Sequence, residues 1–190
     1  RVSMVDFVRD ALLTVSGSYD TTERELLNSQ WKDNGEQNAA LGNVIAMVDT
    51  SGSMEDQNCV PLYSAIGLGL RIAENSKLGK RIMTFNSHPE WINFDPCKDF
   101  VEMVEKTKHA PWGMNTNFTA ALDMILESAI TKNVSPFDME NLILLILSDM
   151  QIDRSGTINT SMFEMMEKRY AAAGLRTQHN TPYKLPHIVF

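Results

Sequence analysis

Two short apolar runs, each followed directly by polar residues, limit what this chain can fold into more than any other feature. Residues 44–48 read VIAMV and precede Asp49, and residues 142–147 read LILLIL and precede Ser148 and Asp149. The first run predicts a short buried strand. The second is apolar at every position, which suits a central parallel strand covered on both faces. Together they predict an α/β sheet with polar residues at its strand ends.

The stretches around these runs alternate between helix and strand patterns. Residues 81–85 and 90–94 are strand-like and are separated by the turn-like NSHP, which predicts a hairpin and one antiparallel strand at a sheet edge. The order β-α-β-β-α-α-β-α-β predicts a doubly wound, Rossmann-like, mostly parallel sheet with helices on both faces. Helical spacing covers residues 61–75, 99–108, 118–132 and 160–172, and a last strand begins at residues 188–190.

A short helical segment precedes this sheet. Residues 2–15 have apolar positions at helical spacing, and Thr22 and Glu25 fit a capping box that opens a second helix reaching Trp31. Residues 33–43, DNGEQNAALGN, predict a linker. We therefore divide the chain into residues 1–42, the helical segment and linker, and residues 43–190, the α/β domain. Because the chain starts at Arg1 and stops within HIVF, we expect a fragment, with residues 1–42 ending a preceding helical region and the second domain truncated at its C-terminus.

Charge and cysteine content narrow the class of protein. The 190 residues carry a formal net charge of −7, and this negative field opposes general attraction to nucleic acid or anionic lipid. The two cysteines, Cys59 and Cys97, form no CxxC or Cys/His cluster, so neither a disulfide framework nor a zinc site is indicated. No apolar stretch is long enough to cross a bilayer. We expect an intracellular, cytoplasmic protein.

Polar residues gather where three predicted loops converge. Asp49, Ser51 and Ser53 form a DxSxS loop after the first strand, Asp149 follows the LILLIL strand, and residues 112–119 contribute Thr116 at the start of a helix. Carboxylate and hydroxyl oxygens suit a hard cation such as Mg²⁺ or Mn²⁺, which keeps several waters and can accept a further ligand. The same loop also suits a turn and helix cap, which are rich in Asp, Ser and Gly. Both interpretations stay open at this point.

Several neighbouring residues are candidates for the surroundings of this site. Gly52 permits a backbone conformation that other residues resist, and Ser51 and Ser53 can then point the same way. Trp112 is either part of a binding rim or a half-buried packing residue. Asn115 belongs to the same loop as Trp112, and Asp153 either supports the Asp149 loop or caps the next turn.

The segments VIAMVDTSGSM, GMNTNFTAAL and LILLILSDMQID resemble the three metal-loop segments of von Willebrand A domains, over residues 43–190. The resemblance implies a metal-ion-dependent adhesion site with Ser51, Ser53 and Thr116 as hydroxyl ligands. Asp49 and Asp149 would act largely through water and hydrogen bonds. It implies a binding module for a protein partner, and we expect an Asp or Glu carboxylate of that partner to complete the coordination of Mg²⁺ (or Mn²⁺).

Two threonines of the loop at residues 112–119 are candidates for the threonine ligand of this site. Thr116 is preferred because it precedes Leu122 by six residues, as the family's threonine precedes the first apolar anchor of its helix. Thr119 is the alternative.

A narrower resemblance rests on FVRDALL, LLNSQW, WGMNTNF, LSDMQID and PHIVF. These phrases are similar to an uncharacterised family of plant, fungal and giant-virus proteins, in which such a domain ends a longer chain. That family is similar in layout to the Ro ribonucleoprotein autoantigens, which join an A domain to an RNA-binding helical region. If the protein is viral, its expected location is the cytoplasm of the host cell.

Two other functions compete with the binding module. A haloacid-dehalogenase-like phosphohydrolase also uses a strand-end Asp and Mg²⁺, and Asp149 and Asp153 fit its DxxxD pattern, but Ser51 stands where that family needs a second Asp. RNA association would use the cations Lys168, Arg169, Arg176, His179 and Lys184, which also suit a solvated helix end and loop.

Overall fold

A computed structural model gives the fold of the chain and describes residues 3–17, 21–36, 42–113, 116–149 and 160–190. The strands within these ranges are β1 (Val44–Val48), β2 (Arg81–Thr84), β3 (Trp91–Asn93), β4 (Ile143–Leu147) and β5 (His187–Val189). A 3-10 turn spans Gly52–Glu55. None of the helices in these ranges is both long and apolar enough to cross a membrane. The helices are α1 (Met4–Ser16), α2 (Thr21–Glu36), α3 (Asp56–Asn75), α4 (Phe100–Lys108), α5 (Phe118–Thr131), α6 (Pro136–Glu140) and α7 (Thr160–Arg176).

The five strands form one sheet in the order β3-β2-β1-β4-β5. β1 pairs in parallel with both β2 and β4, β5 pairs in parallel with β4, and β3 lies antiparallel to β2 at one edge. The predicted mostly parallel sheet with one antiparallel edge strand is thus confirmed. The chain winds outward in opposite directions from β1 and β4, and ligands of such sheets bind beyond the strand ends at this reversal.

The apolar runs of the sequence correspond to strands buried on both faces. Ala46 and Val48 of β1 pack in a core shared with α3 and α4, whereas Ile45 and Met47 pack in a second core with α5 and α7. Alternate residues of a strand face opposite sides of the sheet, so burial on both sides requires every position to be apolar. The unbroken pattern therefore has a direct cause in the layered architecture.

The helices α1 and α2 pack on the outside of α3 and α4. The Trp31 ring of α2 stacks on Phe100 of α4 with 4.0 Å between centroids, and Phe7 of α1 meets Trp31 edge-on at 5.5 Å. All three side chains are buried in the core that also contains one face of the sheet. The division of the chain near residue 42 stays a prediction, but the helical segment and the sheet share a core.

The prediction that residues 33–43 form a linker is wrong for residues 33–36, which form the last turn of α2. Arg71 of α3 donates to the Trp31 carbonyl and to Oδ1 of Asn34, both over 3.0 Å, and its guanidinium lies 3.6 Å from the Trp31 ring centroid. These contacts come from a helix distant in sequence, so local composition could not reveal them. The helix also begins at Thr21, which places Thr22 inside its first turn rather than at the cap.

Three further differences concern helix extent. The short helix α6 was not predicted, although Ser135 caps it by accepting the Asp138 N–H and Pro136 occupies its first turn. The helix α7 continues to Arg176, four residues beyond the predicted end. The helix α3 starts at Asp56, five residues before the predicted start, but residues 57–59 have left-handed backbone angles, so its regular right-handed part begins close to the predicted position.

Candidate metal site

The loops that carry the candidate ligands begin side by side at the carboxyl ends of β1 and β4. Val48 is in register with Leu147, and the backbone N–H of Asp49 donates to the Leu147 carbonyl over 2.9 Å. Ser148 and Asp149 follow Leu147 directly, so they begin beside Asp49. The sheet itself thus holds the two carboxylate-bearing loops together.

Asp49 is enclosed and carries the negative charge of the inner part of the site. Its side chain has no exposed surface. Oδ1 accepts the backbone N–H of Ser51 over 2.8 Å, and Oδ2 accepts the hydroxyl of Ser148 over 2.7 Å. The ion pairs found among the described residues do not include Asp49. A buried carboxylate held only by neutral donors keeps an unfavourable desolvation energy, which a nearby cation offsets.

A row of hydroxyl oxygens joins this buried carboxylate to an exposed one. The hydroxyls of Ser51 and Ser53 lie 3.1 Å apart, and that of Ser53 donates to Oδ1 of Asp149 over 3.1 Å. The predicted orientation of both serines to the same side is confirmed. Ser51 is buried, whereas Ser53 and Asp149 are exposed. The oxygens therefore extend from the interior to the surface.

Thr116 lies beside the same strand ends but makes other contacts. Its hydroxyl donates to the carbonyl of Asn86 over 2.9 Å and lies 3.5 Å from the sulfur of Met47 in β1. Asn86 follows β2, whose continuation at Phe85 donates its N–H to Val48 over 3.3 Å. Thr116 is therefore near the end of β1, with its hydroxyl engaged by the loop after β2.

The predicted surroundings of the site are only partly described. Trp112 is 50% exposed, and the backbone N–H of the adjacent Gly113 donates to the Phe85 carbonyl, which places this part of the loop beside the end of β2. Thr119 is half-buried in the first turn of α5. Asn115 and Asp153 lie outside the described residues.

The conformational reason given for Gly52 is wrong. Its φ lies outside the left-handed region, and a Cβ added there would meet no atom within 4 Å. It is exposed at the start of the 3-10 turn Gly52–Glu55. The alignment of Ser51 and Ser53 comes from this turn and from the Asp49 carboxylate, which fixes the Ser51 N–H.

Sequence reasoning missed two residues that shape the site. Ser148 supplies a hydroxyl to Asp49, and Met54 accepts the Asp149 N–H at its sulfur over 3.3 Å. The position of Ser148 directly after an apolar strand was a usable signal. Nothing local marks Met54, because its contact joins residues 95 positions apart.

The backbone directly after the DxSxS loop adopts an unusual conformation. Gln57, Asn58 and Cys59 have φ values of 54°, 59° and 63°. Side chains other than glycine pay roughly 1–2 kcal/mol per residue for this left-handed conformation, although Asn tolerates it better. Such strain persists where the surrounding structure imposes it and is common near functional sites.

The donor set determines which ions fit. In the described part of the chain, no three His, Cys, Asp or Glu side chains group closely enough to hold a metal ion. The cluster instead offers two carboxylates and the hydroxyls of Ser51 and Ser53, all hard oxygen donors. Such donors match Mg²⁺ and Mn²⁺ better than Zn²⁺ or copper, which favour nitrogen and sulfur.

The fold and this cluster define the chain as a Rossmann-like α/β protein with an oxygen-rich site at its strand ends. It belongs to the family described as a domain of unknown function (DUF7788), whose model matches residues 43–190. It is also 34% identical over 173 residues to Uncharacterized protein L728 of Acanthamoeba polyphaga mimivirus. That alignment covers 87% of this chain and 28% of the viral protein, so the chain spans under a third of this relative. The predicted similarity to giant-virus proteins is confirmed, and no solved structure matches the chain.

Proposed function

We propose that this chain is a divalent-metal-dependent binding module of the von Willebrand A type. Its cluster would hold Mg²⁺ (or Mn²⁺), and an Asp or Glu carboxylate of a protein partner would complete the coordination. One observation carries the proposal: among the described residues, the fully buried Asp49 carboxylate accepts hydrogen bonds from neutral donors alone, and hydroxyls connect it to a second carboxylate, Asp149, at the surface.

The residues present fit such an ion. Ser51 and Ser53 would provide hydroxyl oxygens, and Asp49 and Asp149 would provide the compensating charge directly or through water. Thr116 would join them only if its hydroxyl turned away from the Asn86 carbonyl that it now contacts. The bound ion would polarise an incoming carboxylate, and the protein would fix the donors in advance.

The gradient of burial supports recognition from one side. Asp49 and Ser51 are buried, whereas Ser53 and Asp149 are exposed, so an ion among them would be covered from below and open above. The half-exposed Trp112 precedes Gly113, whose N–H bonds the Phe85 carbonyl just beyond β2, and its exposed ring is available as an apolar contact for a partner. A charged centre with an aromatic neighbour is a common composition of binding hot spots.

Calorimetric titration of Mg²⁺ into chelator-treated protein tests the metal claim. We expect wild type to bind and Asp49→Asn to lose at least about tenfold in affinity. Asp95→Asn is the matched control, because Asp95 is exposed and follows the antiparallel strand β3, which places it at the opposite end of the sheet. In metal-free buffer, Asp49→Asn should be no less stable than wild type, since a neutral side chain is easier to bury.

Two results would overturn the metal claim: no Mg²⁺ binding by wild type, or the same affinity in all three proteins. The partner claim has its own test. Proteins that co-purify with the chain in Mg²⁺, but not in chelator or with Asp49→Asn, should contain an acidic residue whose neutralisation abolishes binding. Retention of all interactions in chelator would contradict it.

The two alternative functions have weaker support. For a phosphohydrolase, Ser51 offers no second carboxyl beside Asp49, and it already engages Asp49 through its N–H. Turnover of an aryl phosphate in Mg²⁺, abolished in Asp49→Asn, would favour that function. For RNA, Arg169 pairs with Asp123 and Lys184 with Glu140, which reduces the cations free for phosphate.

A further inference from the structure

The helix pair α1 and α2 forms a groove on the outer surface, separate from the candidate metal site. The groove has a volume of about 270 Å³, and those of its lining residues that the structure describes all belong to these two helices. Its floor and walls include Leu13, Leu26 and Leu27. Leu13 is 47% exposed and Leu26 is 58% exposed, so two large apolar side chains border the groove without being covered.

The two helices that form the groove are held in place by buried contacts and an ion pair. The inner faces of the two helices are buried through Phe7 and Val8 of α1 and Trp31 of α2. Arg24 on another face of α2 forms a two-pronged hydrogen bond to Asp99, with distances of 2.9 and 3.1 Å. Because both helices are held from below, the groove should need little reorganisation to receive a partner, which lowers the entropic cost of binding.

The charges at the groove are of one sign. Asp10 and Glu23 contribute to its lining, and none of the lining residues within the described ranges is Lys or Arg. Neither carboxylate takes part in an ion pair within the described residues. The nearby cations Arg9 and Arg24 are engaged by Asp6 and Asp99. An occupant with positive charge beside its apolar residues would therefore be complementary.

This charge distribution decides between two occupants. A second copy of the chain bound through the same groove would bring Asp10 and Glu23 against their own counterparts, and like charges at an interface are strongly unfavourable. On α1, Leu13 and Thr14 follow Asp10 at helical spacing, and on α2, Leu26 and Leu27 follow Glu23 at the same spacing. Each set therefore forms a ridge along its helix, and a furrow lies between the two ridges. A third helix can lay its apolar side chains into such a furrow.

We propose that this groove is a docking site for an amphipathic helix of a protein partner. Leucine-sized side chains of that helix insert between Leu13 and Leu26, and its Lys or Arg side chains lie next to Asp10 and Glu23. The proposal is independent of the metal site, so it stands or falls separately from it.

A designed peptide provides the probe. It is a fluorescein-labelled helix of roughly 18 residues, long enough to fold alone, with Leu along one face and Lys on the other. Fluorescence anisotropy measures its binding to the full 190-residue chain. A peptide with Glu in place of Lys serves as the charge control. We expect saturable binding of the Lys peptide and none of the Glu peptide.

Three variants locate the binding. Leu13→Gln combined with Leu26→Gln removes the apolar border and leaves every charge, and should weaken the Kd of the Lys peptide about tenfold or more. Asp10→Asn combined with Glu23→Gln should weaken it by a similar factor. The matched control, Glu25→Gln combined with Asp33→Asn, makes the same charge change at exposed positions of α2 outside the groove lining and should change the Kd less than about threefold.

The substituted leucines are exposed, so circular dichroism should show an unchanged fold. The proposal is overturned if wild type shows no saturable binding. It is equally overturned if the control pair weakens binding as much as the groove pair, because the attraction would then be general. Unchanged affinity in the Leu13 and Leu26 variant would also overturn it, as would dimerisation of the chain through this groove.

Discussion

The Ser148 hydroxyl donates a 2.7 Å hydrogen bond to Oδ2 of Asp49 and so connects the loop after β4 to the loop after β1. The two residues are 99 positions apart in the chain. This bond occupies one oxygen of the buried carboxylate, while the Ser51 N–H donates to the other oxygen. The rotamer of Asp49 is thereby set by both loops.

Replacing Ser148 with Ala should destabilise the protein by about 1–3 kcal/mol, because a buried acceptor loses its donor. Urea unfolding in chelator measures this change. Ser148→Thr keeps the hydroxyl and should recover most of the loss. Ser87→Ala is the control, since Ser87 is exposed and its hydroxyl, within the described part of the chain, bonds its sequence neighbours Asn86 and His88. An unchanged unfolding midpoint in Ser148→Ala would show that the bond contributes nothing.

Replacing Arg71 with Ala should cost about 3 kcal/mol or more, because this guanidinium is 2% exposed, lies over Trp31 and also bonds Glu74 over 2.9 Å. Arg71→Lys should recover little, since an ammonium lacks the planar fork that reaches several acceptors. Denaturant unfolding gives the size of the effect. Arg9→Ala, which breaks an exposed pair with Asp6, should change stability little. Equal effects of Arg71→Ala and Arg9→Ala would refute the assigned role.

The contact between α2 and α4 should weaken in acid. Burial raises the pKa of Asp99, but hydrogen bonds from Arg24 and from the Glu102 N–H outweigh it, so the pKa lies below its usual value. A carboxyl with a depressed folded-state pKa adds stability that is complete above its unfolded value, about 4, and is lost as the pH falls through the folded value.

Urea unfolding between about pH 3 and 7 should therefore show a stability difference between wild type and Asp99→Asn that is largest at neutral pH and shrinks below about pH 4. Asp33→Asn serves as the control at an exposed position of α2. A difference between wild type and Asp99→Asn that stays constant over this range would contradict the prediction.

A glycine substitution in the left-handed turn after the DxSxS loop should stabilise the protein, whereas a glycine substitution in a regular helix should destabilise it. Gln57 is exposed and has a φ of 54°, so Gln57→Gly relieves strain and should stabilise the protein by about 0.5–1 kcal/mol. Glu25→Gly, at an exposed position within α2, should instead destabilise it by about 1 kcal/mol. Thermal unfolding of both variants compares the signs, and a loss of stability in Gln57→Gly would reject the strained conformation.

Much of the sheet and part of the site could be predicted from local patterns. The strands at residues 44–48 and 142–147 were recognisable because both faces of a central strand demand apolar side chains. The hairpin of β2 and β3 followed from its short polar turn. The clustering of Asp49, Ser51, Ser53 and Asp149 followed from the rule that parallel strands end at one edge.

The sequence by itself therefore determined the set of strands, their mostly parallel arrangement and the edge of the sheet at which polar residues meet. The reason is that burial of a strand requires a pattern of apolar residues that can be recognised locally along the chain. Tertiary structure alone decided that Ser148 bonds Asp49, that the Thr116 hydroxyl meets the Asn86 carbonyl, and that Arg71 extends α2 through residues 33–36. Each of these contacts joins residues at least 30 positions apart. The partners in these contacts depend on how the helices and the sheet pack against each other, and the local spacing of residues in the sequence carries no information about that packing.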